Sequence, residues 1–140
     1  MNIRDELIQD EGLELKPYAD STGNLTIGVG RNLDGRGITH QEAMYLLDND
    51  IAECLHHLGN LFHGWLSYST DRRNALTNMR FNLGPYGFMG FKKMISAIRA
   101  GKWQEAADEC LDSGAARMLP GRYGRIAARL KDSDLPTSPE

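Results

Sequence analysis

Apolar positions along this chain change period twice, and each change marks a different kind of element. Ile3, Leu7 and Ile8 fall on one helical stripe, with Asn2 placed to cap it and Gly12 to stop it, which predicts a first helix over about 2–11. From residue 13 to 37 the helical period is absent. Tyr18, Leu25, Ile27 and Val29 alternate with polar or small residues, and Gly23, Gly28, Gly30 and the Asp34-Gly35 pair punctuate them, so this stretch reads as a small sheet of about three short strands.

The helical period then returns. Thr39 and Glu42 have the spacing of a capping box, and Ala43, Leu46, Leu47, Ile51, Cys54, Leu55 and Leu58 keep helical phase behind it, which predicts a helix to about Leu58. Residues 59–69 read as a loop or a short helical turn. A helix from about Thr70 carries Ala75, Leu76, Met79 and Leu83 and should stop at Gly84-Pro85. Others are expected from Phe88 to Ala100, from Lys102 to Leu111, and from Pro120 onward with Tyr123, Ile126, Ala127 and Leu130 inward. The order of elements predicts an α+β fold: a small N-terminal three-stranded sheet lobe at about 13–37, and a larger helical lobe from 39 to 131 joined by the first helix, with a cleft between them. Residues 1–131 form one domain on this reading, and 132–140 have no core to join and should be a mobile tail.

Composition narrows the class without changing that picture. A chain of 140 residues, 41% hydrophobic and 25% charged, supports one soluble globular domain. No apolar run approaches a membrane span, and the first residues are charged where a signal peptide would be apolar, so the protein is expected to stay in the cytoplasm of the cell that makes it until something releases it. Residues 1–60 hold 4 Lys/Arg against 11 Asp/Glu, and residues 61–140 hold 12 against 8. Two ordinary solvated surfaces explain this, and a basic lobe drawn to an anionic envelope polymer is the sharper alternative. Nucleic acid is disfavoured, because no basic run is interleaved with aromatics. Cys54 and Cys110 read as buried free thiols. His40, His56, His57 and His63 read as surface residues with no metal-ligand spacing, the adjacent pair pointing about 100° apart on a helix. No metal or other cofactor is expected.

Three polar residues frame the sheet: Glu11 at a helix end, Asp20 in the loop after the first strand, and Thr26 in the second strand. A glycosidic bond is cleaved by such a set, with one carboxylic acid to protonate the leaving oxygen and one carboxylate to act on the sugar ring or on a water. Spacing alone does not single them out, because 19 acids in 140 residues offer many pairs. By themselves Glu11 reads as a solvated helix end, Asp20 as a turn former before Ser-Thr-Gly, and Thr26 as an ordinary strand residue.

Three ordered blocks shift that weighting. Asp10-Glu11-Gly12-Leu13, Tyr18-Ala19-Asp20 and Gly23-Asn24-Leu25-Thr26-Ile27-Gly28-Val29-Gly30 form the first. Arg72-Arg73-Asn74-Ala75-Leu76-Thr77-Asn78-Met79-Arg80-Phe81-Asn82-Leu83-Gly84 with Gly90-Phe91 form the second, and Trp103-Gln104-Glu105-Ala106-Ala107 the third. Together they resemble the phage-type lysozymes (glycoside hydrolase family 24), the family of the T-even phage enzyme, from Met1 to roughly Arg129. The resemblance implies the mixed α+β lysozyme fold and hydrolysis of the β-1,4 bond between N-acetylmuramic acid and N-acetylglucosamine in bacterial peptidoglycan. It implies Glu11 as general acid, Asp20 as second carboxylate, Thr26 as the hydroxyl that helps place the attacking water, and Arg122 as the arginine that pairs with the catalytic Glu. Phe81 matches a cleft-lining aromatic, or packs in the core.

Other positions depart from the family pattern. Arg31 stands where the T-even enzyme has His, the 32–37 connection is short, and Ala115 replaces a Trp of many relatives. The family's other cleft contacts fall on Asn32, Met94 and Glu109, which are of different types and carry no assigned role. A phage setting implies a monomeric endolysin, with a hole-forming protein as functional helper, that waits in the host bacterial cytoplasm and acts in the periplasm and cell wall after release. Two alternatives stay open: a lytic transglycosylase using Glu11 alone, and a non-catalytic wall-binding protein of the same fold.

Overall fold

In a computed structural model of the chain, which describes residues 1–131, the fold is α+β, as its sequence pattern predicts. Helix α1 (Ile3–Glu11) opens on Asn2, whose Oδ1 accepts the Asp5 amide at 2.9 Å and so satisfies one of the free donors of the first turn. Strands β1 (Glu14–Ala19), β2 (Leu25–Gly28) and β3 (Arg31–Asn32) follow as an antiparallel sheet in the order β1-β2-β3. Pro17 lies in β1, an edge strand, and the register shifts between Glu14 and Tyr18. A residue with no N–H to donate is tolerated there. Thr26 is on the central strand, facing Tyr18 on one side and Asn32 on the other, and is 3% exposed.

Helix α2 (His40–Leu61) begins on the expected capping box: Glu42 N–H donates to Thr39 Oγ1 at 3.1 Å, and Thr39 N–H donates to Glu42 Oε1 at 2.9 Å. It runs one turn beyond Leu58, because Leu58 and Phe62 are both fully buried and the winding continues through Leu61 to place them. A short 3-10 turn at Trp65–Ser67 leads to α3 (Thr70–Met89), capped by Ser69. The expected stop at Gly84-Pro85 is a kink: Gly84 takes φ +75, and the chain resumes a helix with Pro85 in its first turn, where the missing N–H costs no hydrogen bond. Phe88 therefore closes α3, and α4 (Lys92–Arg99) starts later than its apolar pattern predicts. Helix α5 (Trp103–Leu111) and α7 (Pro120–Lys131) match expectation. Between them, α6 (Gly114–Met118) is an addition, one turn capped by Ser113 and too short to show a period. Residues 132–140, expected to be mobile, lie outside the described residues.

The chain divides into two compact units, Met1–Leu47 and Asp48–Glu140, with the boundary inside α2 and with α1 in the same unit as the sheet. The second unit holds the hydrophobic core, built from α2 beyond the boundary and α3–α7 around Leu58, Phe62, Leu76, Met79, Phe88 and Tyr123. The Tyr123 hydroxyl donates to Asn82 Oδ1 at 2.7 Å, so its one polar atom is satisfied inside that core. Tyr68 meets Trp103 edge-on at 4.9 Å, with the Arg72 guanidinium 4.1 Å above the indole. Cys54 and Cys110 are free and buried as expected. Burial pushes both thiols up, Cys110 to about 11, which keeps them protonated and poor nucleophiles. His57 departs from the surface reading: it is half-buried, edge-on to Phe88, and its Nδ1 accepts the Nε–H of buried Arg80 at 2.7 Å.

Candidate active site

In the first unit Asp20 and Thr26 are joined through Asn24 in one hydrogen-bonded turn, and Glu11 meets the β2–β3 turn at Gly30. Glu11 is the last residue of α1 and is exposed. Its carboxylate rests against the β2–β3 turn at Gly30, where a Cβ would lie 2.8 Å from Oε2. Gly30 also takes φ +64, so both the backbone and the neighbouring carboxylate require that the position have no side chain. The end of the helix and the turn after β2 are thereby held in direct contact.

Asp20 begins the turn that joins β1 to β2. Its Oδ1 accepts three hydrogen bonds: from Thr22 N–H at 2.9 Å, from Thr22 Oγ1–H at 2.8 Å and from Asn24 N–H at 2.8 Å. No hydrogen bond among the described residues uses Oδ2. The bonds from the Asn24 backbone and the Thr22 hydroxyl, in that order, hold the carboxyl below its ordinary value, against the opposing effect of burial. Asp20 is thus the turn former its local sequence suggests, and the same bonds leave it an ionised carboxylate with one oxygen uncommitted.

Thr26 is linked to the same turn through one residue, Asn24. Its Oγ1–H donates to the Asn24 carbonyl at 2.9 Å, and the N–H of Asn24 is one of the donors to Asp20. With its hydrogen committed, Thr26 Oγ1 offers only lone pairs to an incoming group. Asp34 steadies the far side of the turn, its Oδ2 accepting Leu25 N–H at 2.6 Å.

Sequence reasoning passed over Thr22, Asn24, Gly30 and Asp34. The signal for the first two was present in Asp20-Ser21-Thr22-Gly23-Asn24, a run of turn-forming side chains with local bonding capacity. No local pattern announces the approach of Gly30 to Glu11. Arg31 also acquires a role: it bonds Glu42 Oε1 at 2.8 Å and the Gly37 carbonyl at 3.3 Å, tying β3 to the start of α2 across the short 32–37 connection. That ion pair, with the Thr39 amide, lowers Glu42 to about 2.

The two remaining expected residues belong to the second unit. Phe81 stands on α3 with 44% of its surface exposed, which removes the core-packing reading. Arg122, on α7, donates its Nε–H to Asn78 Oδ1 at 2.8 Å and a terminal N–H to the Asn78 carbonyl at 3.4 Å, linking α7 to α3.

Residues 8–128 match the family described as phage lysozyme. The pre-baseplate central spike protein Gp5 of Enterobacteria phage T4 is 30% identical over 154 residues, covering 90% of this chain and 27% of that protein, so the chain spans about a quarter of that relative's length. A probable T4-type lysozyme 2 of Dictyostelium discoideum is 28% identical, covering 89% of this chain and 91% of the relative. An endolysin of Salmonella phage P22 is 30% identical, covering 75% of each.

Proposed function

The chain belongs to the phage lysozyme family, and from that premise we propose that it is a muramidase hydrolysing the β-1,4 bond between N-acetylmuramic acid and N-acetylglucosamine of bacterial peptidoglycan. The observation that carries this reading is that one residue, Asn24, bonds both Asp20, whose Oδ1 is saturated and Oδ2 uncommitted, and Thr26, whose hydroxyl hydrogen it accepts. Glu11 protonates the leaving glycosidic oxygen. A water held by Asp20 and Thr26 attacks the anomeric carbon, with Asp20 Oδ2 taking its proton as the new C–O bond forms. Attack by a separate water on the face opposite the leaving group inverts the anomeric centre. The hydrolysis balances with one proton given by Glu11 and one taken by Asp20, and calls on no cofactor.

A lytic transglycosylase would use the acid alone, since a hydroxyl of the sugar itself attacks, and it would have no use for the Asp20–Thr26 pair. In the cell we place the protein in the host cytoplasm until a hole-forming protein opens the inner membrane, after which it reaches the wall as a monomer. The P22 relative named an endolysin supports that setting.

The deciding experiment is loss of turbidity of outer-membrane-permeabilised cells, wild type beside Glu11→Gln. The variant should lose roughly 10²–10⁴-fold or more in rate, since Gln keeps the size of the side chain but cannot donate the proton. NMR of the products should show an inverted reducing end. Wild-type rates in Glu11→Gln would overturn the assignment of the acid, and an anhydro-sugar product would make the enzyme a transglycosylase.

A further inference from the structure

The Asp20 carboxylate is held by a directional chain of hydrogen bonds that begins one residue beyond Gly23. The Asn24 side-chain amide donates from Nδ2 to Thr22 Oγ1 at 2.9 Å, and Thr22 Oγ1 donates to Asp20 Oδ1 at 2.8 Å. A threonine hydroxyl has one hydrogen and is free to rotate it. An amide N–H aimed at its lone pair removes that freedom, and the hydrogen is left pointing at the carboxylate. The turn does not depend on this chain for closure. Asp20 N–H to the Asn24 carbonyl at 2.9 Å and Gly23 N–H to the Asp20 carbonyl at 3.0 Å close it through the backbone.

We propose that Asn24 and Thr22 act as a positioning relay for Asp20, fixing its rotamer so that Oδ2 faces the attacking water. This rests on the muramidase reading in giving Asp20 the role of base. The relay touches neither substrate nor water. It saturates Oδ1, so that one oxygen is anchored and the other is the only site from which the carboxylate can accept a proton. The charged and titratable side chains on the flanking segments are Glu11 at the end of α1, Glu14, Lys16 and Tyr18 on β1, Asp34, bonded to Leu25 N–H, Arg36 on the following connection, and Arg31, paired with Glu42. Hydrogen bonds from Asn24 and Thr22 are the causes that hold the Asp20 carboxyl below its ordinary value, so removing the Thr22 hydroxyl should let it rise. Ser21 makes no bond in this relay; the sequence run marks a turn, and the direction of the bonds is set by the fold.

Thr22→Val tests this, because it keeps the side-chain shape and the backbone N–H and removes only the hydroxyl. Two readouts are compared with wild type: the titration of the Asp20 carboxyl carbon by ¹³C NMR, and the acidic limb of the pH profile of kcat. In Thr22→Val both should move to higher pH, with kcat lower on the order of tenfold and KM unchanged. Thr22→Ser should restore both, and Asn24→Ala, which frees the hydroxyl without deleting it and also removes the smaller direct pull of the Asn24 side chain on the carboxyl, should fall between. An Asp20 titration and acidic limb that stay at their wild-type positions in Thr22→Val, or a Thr22→Ser variant that behaves like Thr22→Val, would overturn the relay. If the valine substitution loosens the turn, the Thr22→Ser and Asn24→Ala pair still reads it, since Asn24→Ala must shift both quantities and Thr22→Ser must shift neither. The two readings separate cleanly. An active wild type with an unmoved titration in Thr22→Val sinks the relay alone, whereas a moved titration in a protein without glycosidase activity sinks the muramidase reading alone.

Discussion

The two units of this chain hold together by different means. In Met1–Leu47, Thr26 is the only buried residue, while Leu13, Leu15, Val29, Ile38 and Leu46 are exposed. Order there comes from local polar bonds: Asn2 on α1, Asp20 and Asp34 on the β1–β2 turn, and Arg31 with Thr39 on Glu42. In the second unit Leu58, Phe62, Leu76, Met79 and Phe88 are all fully buried, and order comes from apolar surface removed from water. The candidate chemistry lies on the polar unit. Acids that must meet a substrate need exposure, and directional bonds over two to eleven residues can aim them without a core; of the three candidate residues only Thr26 is buried.

Breaking the core should show the contrast most strongly. Leu58→Ala, fully buried, is expected to cost about 2–5 kcal/mol. Leu15→Ala, 84% exposed in β1, is expected to stay within about 0.5 kcal/mol. Chemical denaturation of both variants measures this, and equal losses would erase the distinction between the units.

The converse substitution touches function with a smaller effect on folding. Gly30→Ala places a Cβ in the space of Glu11 Oε2 and forces an alanine to φ +64. The backbone strain is about 1–2 kcal/mol, whereas displacing the acid by a fraction of an ångström to 1 Å can cost on the order of 10²-fold in rate. The turbidity assay should therefore register the change more clearly than the melting curve. A Gly30→Ala protein with full activity would show that the contact does not position Glu11.

Acid should also separate the units. Burial first, and the charge of Arg80 second, hold His57 below 6.5. A folded value depressed below the unfolded one contributes stability above pH 6.5 that is lost as pH falls through the folded value. Protonating Nδ1 ends its bond from Arg80 and leaves two cations in contact inside the second unit. The neighbouring charged and titratable groups are Asp50 and Glu53 on the same helix and the Cys54 thiol, whose Sγ lies 3.8 Å from the guanidinium. In the first unit Glu42, lowered from 4.5 to about 2, and Asp20, lowered from 3.8, contribute stability above their unfolded values that is lost only as pH falls through the lower folded ones. The melting temperature should accordingly begin to decline just below pH 6.5. His57→Gln, which can still accept from Arg80 but does not titrate, should flatten that first decline and leave the one below pH 4.5. An unchanged profile in His57→Gln would assign the first decline elsewhere.

The smallest expected effect is that of Arg122→Ala. It removes the bonds to Asn78 and should cost about 1 kcal/mol, a shift of a few degrees in melting temperature. A pH–activity profile that moves as well would support the catalytic pairing implied by family resemblance. An unmoved profile would leave Arg122 as a brace between α7 and α3.

How much of this was legible in the chain follows from the range of the interactions. The Asn2 cap, the Thr39–Glu42 box and the hairpin glycines are set by residues within four positions of each other, and each was readable. The Gly84-Pro85 break was readable as a break, but not as a kink between two helical segments. The one-turn α6 was invisible, since five residues show no period. Phe81 could not be placed by its neighbours in sequence, because an aromatic in helical phase serves a core or a surface equally well. The residues of the candidate site were recognisable only as a spaced set within three family blocks, since Glu11, Asp20 and Thr26 taken singly are ordinary.

What the sequence determined by itself was the α+β class, the order of the elements and the identity of the groups available for chemistry, because periodicity, capping and turn preferences act between near neighbours. Tertiary structure decided where those groups lie and how they are tuned. The contact of Glu11 with Gly30 spans nineteen positions, and the bond from Arg80 to His57 spans twenty-three. At those separations no local preference acts, and only the path of the folded backbone brings the atoms within reach. The direction of the Thr22 hydroxyl lies between the two cases: its partners are two residues away on either side, yet the hydrogen is aimed only when the turn closes and sets Asn24 above it.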